Sequence, residues 1–252
     1  MLLPAASMGR GSLAHLGTAV LDFARGALVA ALALAFSYGL NAVHDRATDR
    51  STAKNPLAGE VELFPGTMAL MWASAAGALL AAMPGGVRPV GCTLLSLFAG
   101  AVYSAGPRLK GWPVIGTVLN VGIFLPLMWV AGPSDLRGVL LPITFSALLL
   151  QNQLWHERED LDEDRAARVL TTASVLGDRW TSRAATAIGL LGGVAAVAMG
   201  AGLRGPTLAA IAACALGSVA PLMVRPDLRR RVHRRSALAG GALVYAAAIA
   251  AS

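Results

Sequence analysis

Asn41, Asp45 and Asp49 recur at i, i+4 and i+8 where a long apolar stretch runs out, so on a continuing helix their oxygens share one face. A second set, Glu157, Asp160 and Asp164, falls at i, i+3 and i+7 at the end of another apolar stretch. Carboxylates collected in this way repel one another unless a cation neutralises them. Oxygen donors of this kind suit Mg²⁺, which takes one or two carboxylates and fills its shell with waters and phosphate oxygens. Two such faces opposed would clamp a diphosphate through bridging Mg²⁺. The bland alternative is a pair of solvated loops whose charges meet nearby Arg residues. That reading explains one cluster well, and two clusters with helical spacing poorly. Every acidic residue except Asp22, Asp135 and Asp227 lies in or just past these two stretches.

Between them runs Tyr103-Ser104-Ala105-Gly106-Pro107-Arg108-Leu109-Lys110. Arg108 offers a planar fork of donors and Lys110 a point charge, both suited to phosphate oxygens. Beside metal-binding carboxylates they become candidates to stabilise a departing diphosphate, where negative charge builds up. His44 and His156 adjoin the acidic sets and are candidate proton acceptors or plain polar contacts at helix ends. Tyr103 and Trp155 either steady a cation through a ring face or belong to an interfacial aromatic belt. Asn120 stands alone in an apolar run and faces either a cavity or a neighbouring helix.

The elements that position these groups are read from hydropathy. Of 252 residues, 56% are hydrophobic and only 14% charged, against roughly 25% charged in ordinary soluble domains. A bilayer crossing takes about 20 mostly apolar residues, and the pattern predicts eight such spans, near 17–40, 66–84, 88–105, 113–132, 136–155, 182–202, 206–224 and 236–252. The fold class expected is therefore all-α, a polytopic membrane bundle of about eight helices around a central cavity, and a single domain over 1–252. Asp22 and Arg25, at i, i+3 near the start of the first span, are expected to pair. Cys92 and Cys214 lie apart in apolar segments and read as small core residues rather than a disulfide or a zinc site. Residues 1–12 lack the pattern of a cleaved signal peptide.

All Lys and Arg except Arg10, Arg25, Arg88, Arg137 and Arg204 fall in or beside the loops after spans one, three, five and seven. By the positive-inside tendency those loops are cytoplasmic. Both acidic sets then share the cytoplasmic face, the cavity opens there, and both termini lie outside. The net charge of +7 is thereby a matter of topology, and no nucleic-acid partner is implied. A bacterial inner or plasma membrane is the expected location.

In these residues the chain resembles the UbiA-type intramembrane prenyltransferases. The resemblance rests on three ordered motifs. The first is Asn41-x-x-x-Asp45-x-x-x-Asp49-Arg50 followed by Lys54-Asn55-Pro56-Leu57 and Gly59, within 41–59. The second is Tyr103-Ser104 with Pro107-Arg108-Leu109-Lys110, and the third Asp160-x-x-x-Asp164-Arg165 with Thr171-Thr172 and Leu176-Gly177, within 153–177. Two departures stand out. Family members usually have one more span before the first motif, and often Asn where this chain has Glu157.

The resemblance implies Mg²⁺-dependent ionisation of an allylic prenyl diphosphate, with capture of the prenyl group by an aromatic or quinone-precursor acceptor. It implies Asp45, Asp49, Asp160 and Asp164 as metal ligands, with Arg108 and Lys110 completing the catalytic set. Asn41, Arg50, Lys54, Tyr103, Arg108, Lys110 and Glu157 are the substrate-binding residues expected. The partners expected, besides Mg²⁺, are the prenyl diphosphate, a small lipophilic or aromatic acceptor and membrane lipid. Two other functions compete: terpene cyclisation, which needs no acceptor, and metal-cation transport. Transporters usually place their ions near mid-membrane, whereas these carboxylates sit at helix ends.

Overall fold

Four stretches, Val20–Asp45, Gly66–Gly85, Val87–Ser104 and Thr172–Ala198, form helices long and apolar enough to cross a membrane. The computed structural model describes residues 5–47, 49, 52, 55–60, 62–130, 136–166, 169–200, 220–225, 228, 231–232 and 235, with most side chains from residue 17 onward. Its α-helices are α1 (Ala5–Asp45), α2 (Gly66–Ala82), α3 (Val87–Ser104), α4 (Ile115–Phe124), α5 (Leu136–Glu159), α6 (Leu161–Ala166) and α7 (Thr172–Gly200). No strand occurs among the described residues. The architecture is the all-helical bundle expected of an integral membrane protein. The spans expected at 206–224 and 236–252 lie almost wholly outside the described residues.

Several boundaries differ from the hydropathy reading for local reasons. α1 begins well before residue 17. The span expected at 113–132 is a short α-helix continued by 3₁₀ turns over Leu125–Trp129, because Pro126 lacks an N–H and its ring crowds the preceding turn. α5 runs on to Glu159, so its last turns carry Gln151, Asn152, Gln153 and Glu157 into the bundle. α7 starts ten residues before the expected span, and Gly177, at φ 75°, interrupts its helical backbone.

Packing follows residue size. Val29, Ala33, Phe36 and Leu40 of α1 meet Met71, Ala75, Ala78 and Ala82 of α2 in one buried cluster that also takes Cys92 and Leu97 of α3. The α5–α7 contact is closer. A Cβ on Gly189 would land within the buried Gln151 amide, and one on Gly192 would sit 2.8 Å from the Ala147 methyl. Small residues at such a seam are how membrane helices gain van der Waals contact. The opposite faces expose Leu21, Leu70, Leu95, Phe98, Leu191 and Val194, an arrangement suited to lipid. The expected Asp22–Arg25 pair is present at 2.7 Å.

Candidate active site

The first acidic motif sits at a helix end where several orphan carbonyls find local donors. Asn55 Nδ2 donates to Ala42 O at 2.9 Å, Arg46 Nη1 to Val43 O at 2.7 Å, and Gly59 N to Arg46 O at 2.8 Å. Asn55 is 3% exposed. The same Nδ2 reaches Asp49 Oδ2 at 2.9 Å, and Asn55 Oδ1 accepts from Leu57 N at 3.0 Å. The Asn-Pro-Leu-Ala-Gly segment thus folds back beneath α1 and braces Asp49. The continuing helix expected from the spacing does not occur, since α1 stops at Asp45. Even so, Asp49 N still donates to Asp45 O at 2.8 Å, so one further turn keeps the two aspartates near each other.

Asp45, 6% exposed, is held between the two cations of the central loop. Arg108 Nη2 donates to its Oδ1 at 2.9 Å, and Lys110 Nζ pairs with its Oδ2. Lys110 Nζ also reaches Asn41 Oδ1 at 3.3 Å, as does the Ser104 hydroxyl. The loop carrying these cations is tightly turned. Gly106 and Arg108 have positive φ, and Val114, at φ 66° and ψ −52°, forms a γ-turn in which Ile115 N donates to Pro113 O at 2.7 Å. That conformation is rare and costly for a β-branched residue. It is anchored by a bond from Val114 N to Thr172 Oγ1 at 2.8 Å.

The second motif is split: α5 ends at Glu159, Asp160 turns, and α6 follows. Asp160 Oδ2 lies 3.0 Å from His156 Nδ1, and Asp164 Oδ2 accepts from Thr171 Oγ1 at 3.1 Å. Thr171 caps α7 reciprocally with Ser174, each side chain accepting from the other's backbone N–H at 2.8 and 3.2 Å. Glu157, placed by the sequence on the substrate, is instead buried and turned into the protein. Its Oε1 accepts from Thr117 Oγ1 at 2.7 Å and Gln153 Nε2 at 3.2 Å, and its Oε2 from Ala173 N at 3.2 Å. Donors from α4, α5 and α7 occupy it, which leaves it joining helices rather than lining the cavity.

Both motifs border one cavity of about 540 Å³. Asn41, one turn before Asp45, and His156, one turn before Asp160, both line it, together with Tyr103. Its apolar walls include Val121, Phe124, Phe145, Leu148 and Leu149. The structure brings Asn41, Asp45, Arg108 and Lys110 into direct contact. Asp49 and the Asp160–Asp164 pair stand on separate partners, and no three His, Cys, Asp or Glu side chains converge on one point among the described residues. Arg50 and Lys54 lie outside the described residues. Sequence reading missed Asn55 as a brace, and Thr117, Gln153 and Thr172 as a polar string. Asn-Pro followed by Gly was a turn signal for the first; nothing in the sequence pointed to the string.

The donors fit Mg²⁺: Asn41, Asp45, Asp49, Asp160 and Asp164 offer only carboxylate or amide oxygens. An ion that shares its shell with phosphate oxygens needs only one or two carboxylates, so a three-carboxylate cluster is not required.

Residues 2–231 match the model of the UbiA prenyltransferase family. Solved structures share the fold. A UbiA homolog from Archaeoglobus fulgidus bound to GPP and Mg²⁺ is 18% identical, with TM-score 0.67 over 89% of this chain and 88% of that one. The same homolog bound to DMAPP and Mg²⁺ gives 0.65 at 17% identity over 89% and 88%. The apo UbiA homolog from Aeropyrum pernix K1 gives 0.63 at 17% identity over 92% and 94%. No curated protein matches the chain.

Proposed function

The chain belongs to the UbiA prenyltransferase family, and on that premise we propose that it transfers a prenyl group from an allylic prenyl diphosphate to an aromatic or quinone-precursor acceptor, with Mg²⁺ as cofactor. The observation that carries this reading is the Asp45–Arg108–Lys110 cluster, joined through Lys110 to Asn41 on the wall of the cavity. The Archaeoglobus fulgidus homolog holds a prenyl diphosphate with Mg²⁺ in both bound structures named above, which supports the same assignment.

Asp45 and Asp49, with Asn41, and Asp160 and Asp164 are the residues that would hold Mg²⁺, which when bound would supply positive charge to the diphosphate oxygens. The allylic C–O bond breaks and its electron pair leaves with the diphosphate. Arg108 and Lys110, one turn of loop apart, leave Asp45 for the diphosphate and stabilise the charge it gains on departure. The prenyl tail lies against Val121, Phe124, Leu148 and Leu149, an apolar wall that limits the water reaching the allylic cation. The acceptor's electron-rich carbon then forms the new C–C bond and its ring loses a proton. Tyr103, on the cavity wall, steadies the cation through its ring face. The loops bearing the motifs face the cytoplasm, in keeping with their Lys and Arg content.

The alternative within the family is cyclisation. Omitting the acceptor separates the two. With purified protein in nanodiscs, Mg²⁺, and geranyl, farnesyl or geranylgeranyl diphosphate, transfer requires a phenolic acceptor for sustained diphosphate release. Release without one, accompanied by a cyclic hydrocarbon or alcohol, would make the chain a cyclase.

A further inference from the structure

α7 opens beside the second acidic motif with more apolar surface than a helix end in water would show. From Ala184 no charged residue occurs until Arg204, about the 20 residues that one crossing takes. Arg179 and Arg183 therefore mark the level at which α7 leaves the hydrocarbon. Val169, Leu170, Val175, Leu176 and Trp180 lie at that level or beyond it, yet they are between 40% and 61% exposed. Their neighbours Thr172, Ala173 and Thr181 are buried, so the segment has an inner face and an outer one. Gly177 turns the chain between the two parts. Its φ of 75° with ψ of 165° is backbone that side chains rarely permit, and it bends the opening turn away from the line of the span.

The outer face is continuous with the face that meets lipid. Trp180, Arg183, Ala187, Leu191 and Val194 recur every three or four residues along one stripe of α7, and all are exposed. At the motif end of that stripe the Arg183 guanidinium stacks over the Trp180 ring at 4.8 Å, with Arg179 exposed beside it. The acid on the same turn, Asp178, is held by Arg158 at 2.5 Å. Apolar side chains ringed by Trp and Arg match the headgroup layer of an anionic leaflet, where rings sit at the boundary and guanidinium groups meet phosphate.

We propose that residues 169–180 form an interfacial segment: the apolar side chains sit in the headgroup layer of the adjacent leaflet, and Arg179 and Arg183 bind the phosphates of anionic lipids there. The segment is tied to the second acidic motif and the central loop at three points. Thr171 Oγ1 donates to Asp164 at 3.1 Å, Ala173 N donates to Glu157 at 3.2 Å, and Thr172 Oγ1 accepts from Val114 N at 2.8 Å. Seated among the headgroups, it holds that motif at the level of the lipid phosphates. The inference concerns the membrane contact alone and stands whether the chain transfers a prenyl group or cyclises it.

The test places a bimane on Leu170→Cys or Leu176→Cys in the full chain carrying Cys92→Ala and Cys214→Ala. Vesicles are phosphatidylcholine mixed with phosphatidylglycerol, with one of the two brominated at a time. Leu191→Cys, on the lipid stripe, and Asp162→Cys, whose side chain is fully exposed, are the reference positions. Brominated lipid should quench the bimane at 170 and 176 as it does at 191, and aqueous iodide should quench it far less than at 162. Moving the bromine from phosphatidylcholine to phosphatidylglycerol should raise quenching at 176, and that preference should fall by about fivefold in Arg179→Gln. Arg183→Gln should lower it as well and serves if Arg179→Gln does not fold; Val175→Cys replaces Leu176→Cys in the same event. Iodide quenching without lipid quenching would place the segment in water. Quenching by neither would place protein over it, from this chain or a second copy. Either result overturns the proposal. Equal quenching by the two brominated lipids overturns the role given to the arginines, and with it the anionic headgroup as the occupant.

Discussion

At the residue scale the site is governed by one carboxylate holding two cations. Asp45 is buried, and a buried carboxylate needs its partners, here Arg108 and Lys110. In the account above the same three groups exchange partners when diphosphate and metal arrive. Lys110→Met should therefore lower kcat by about 100-fold, the scale of losing one preorganised donor to a developing oxyanion, as read by steady-state product formation. Asn55 supports the site without touching substrate. Asn55→Ala frees Ala42 O, Asp49 Oδ2 and Leu57 N together, and should cost about 1–3 kcal/mol, visible as a lower Tm in detergent, with weaker Mg²⁺ dependence because Asp49 loses its brace. The sequence made the aspartates and the Arg-x-Lys pair legible because charge at the end of an apolar run is rare. It hid Asn55 and Thr117, since a polar residue in a turn or a helix announces nothing until its partner's position in space is known. Glu157 was conspicuous as a carboxylate, but its orientation is set by α4 and α7, which lie far from it in sequence.

At the scale of elements, close approach sets the tolerances. A Cβ at Gly116 would sit 2.5 Å from Lys110 O and 2.9 Å from Lys110 Cα, both backbone-borne and unable to swing aside. Gly116→Ala should displace the loop that carries Lys110, at a cost of about 1–3 kcal/mol, and raise the KM for the diphosphate donor more than that for the acceptor. Gly189→Ala drives a methyl into the Gln151 amide at the α5–α7 seam and should lower Tm without that donor-selective change in KM. Among the described residues, helix existence was legible from apolar run length; helix ends were not. Hydropathy measures what lies in lipid, whereas α7 begins at a Thr171–Ser174 cap outside the apolar run, and α1 ends where the Asn55 and Arg46 side chains satisfy its carbonyls. The helical-face spacing of Asp45 and Asp49 was therefore right about proximity and wrong about a continuing helix.

At the scale of the molecule, the bundle brings Asn41 of the first motif and His156, one turn before Asp160, to the wall of one cavity. In a variant lacking Cys92 and Cys214, single cysteines at Glu62 and Val87 should react with a membrane-impermeant maleimide from opposite sides of sealed vesicles, Glu62 from the cytoplasmic side. Labelling of both from one side would contradict the topology. The central claim is that the chain ionises a prenyl diphosphate at its aspartate motifs and passes the prenyl group to a second molecule. The most direct measurement counts diphosphate and prenylated acceptor in the same reaction, for the wild-type chain, after Mg²⁺ chelation, and for Asp45→Asn. The account predicts one diphosphate per prenylated acceptor in the wild type, none after chelation, and at least about a 100-fold loss in Asp45→Asn. Diphosphate release that outruns product, or persists unchanged in Asp45→Asn, would contradict it.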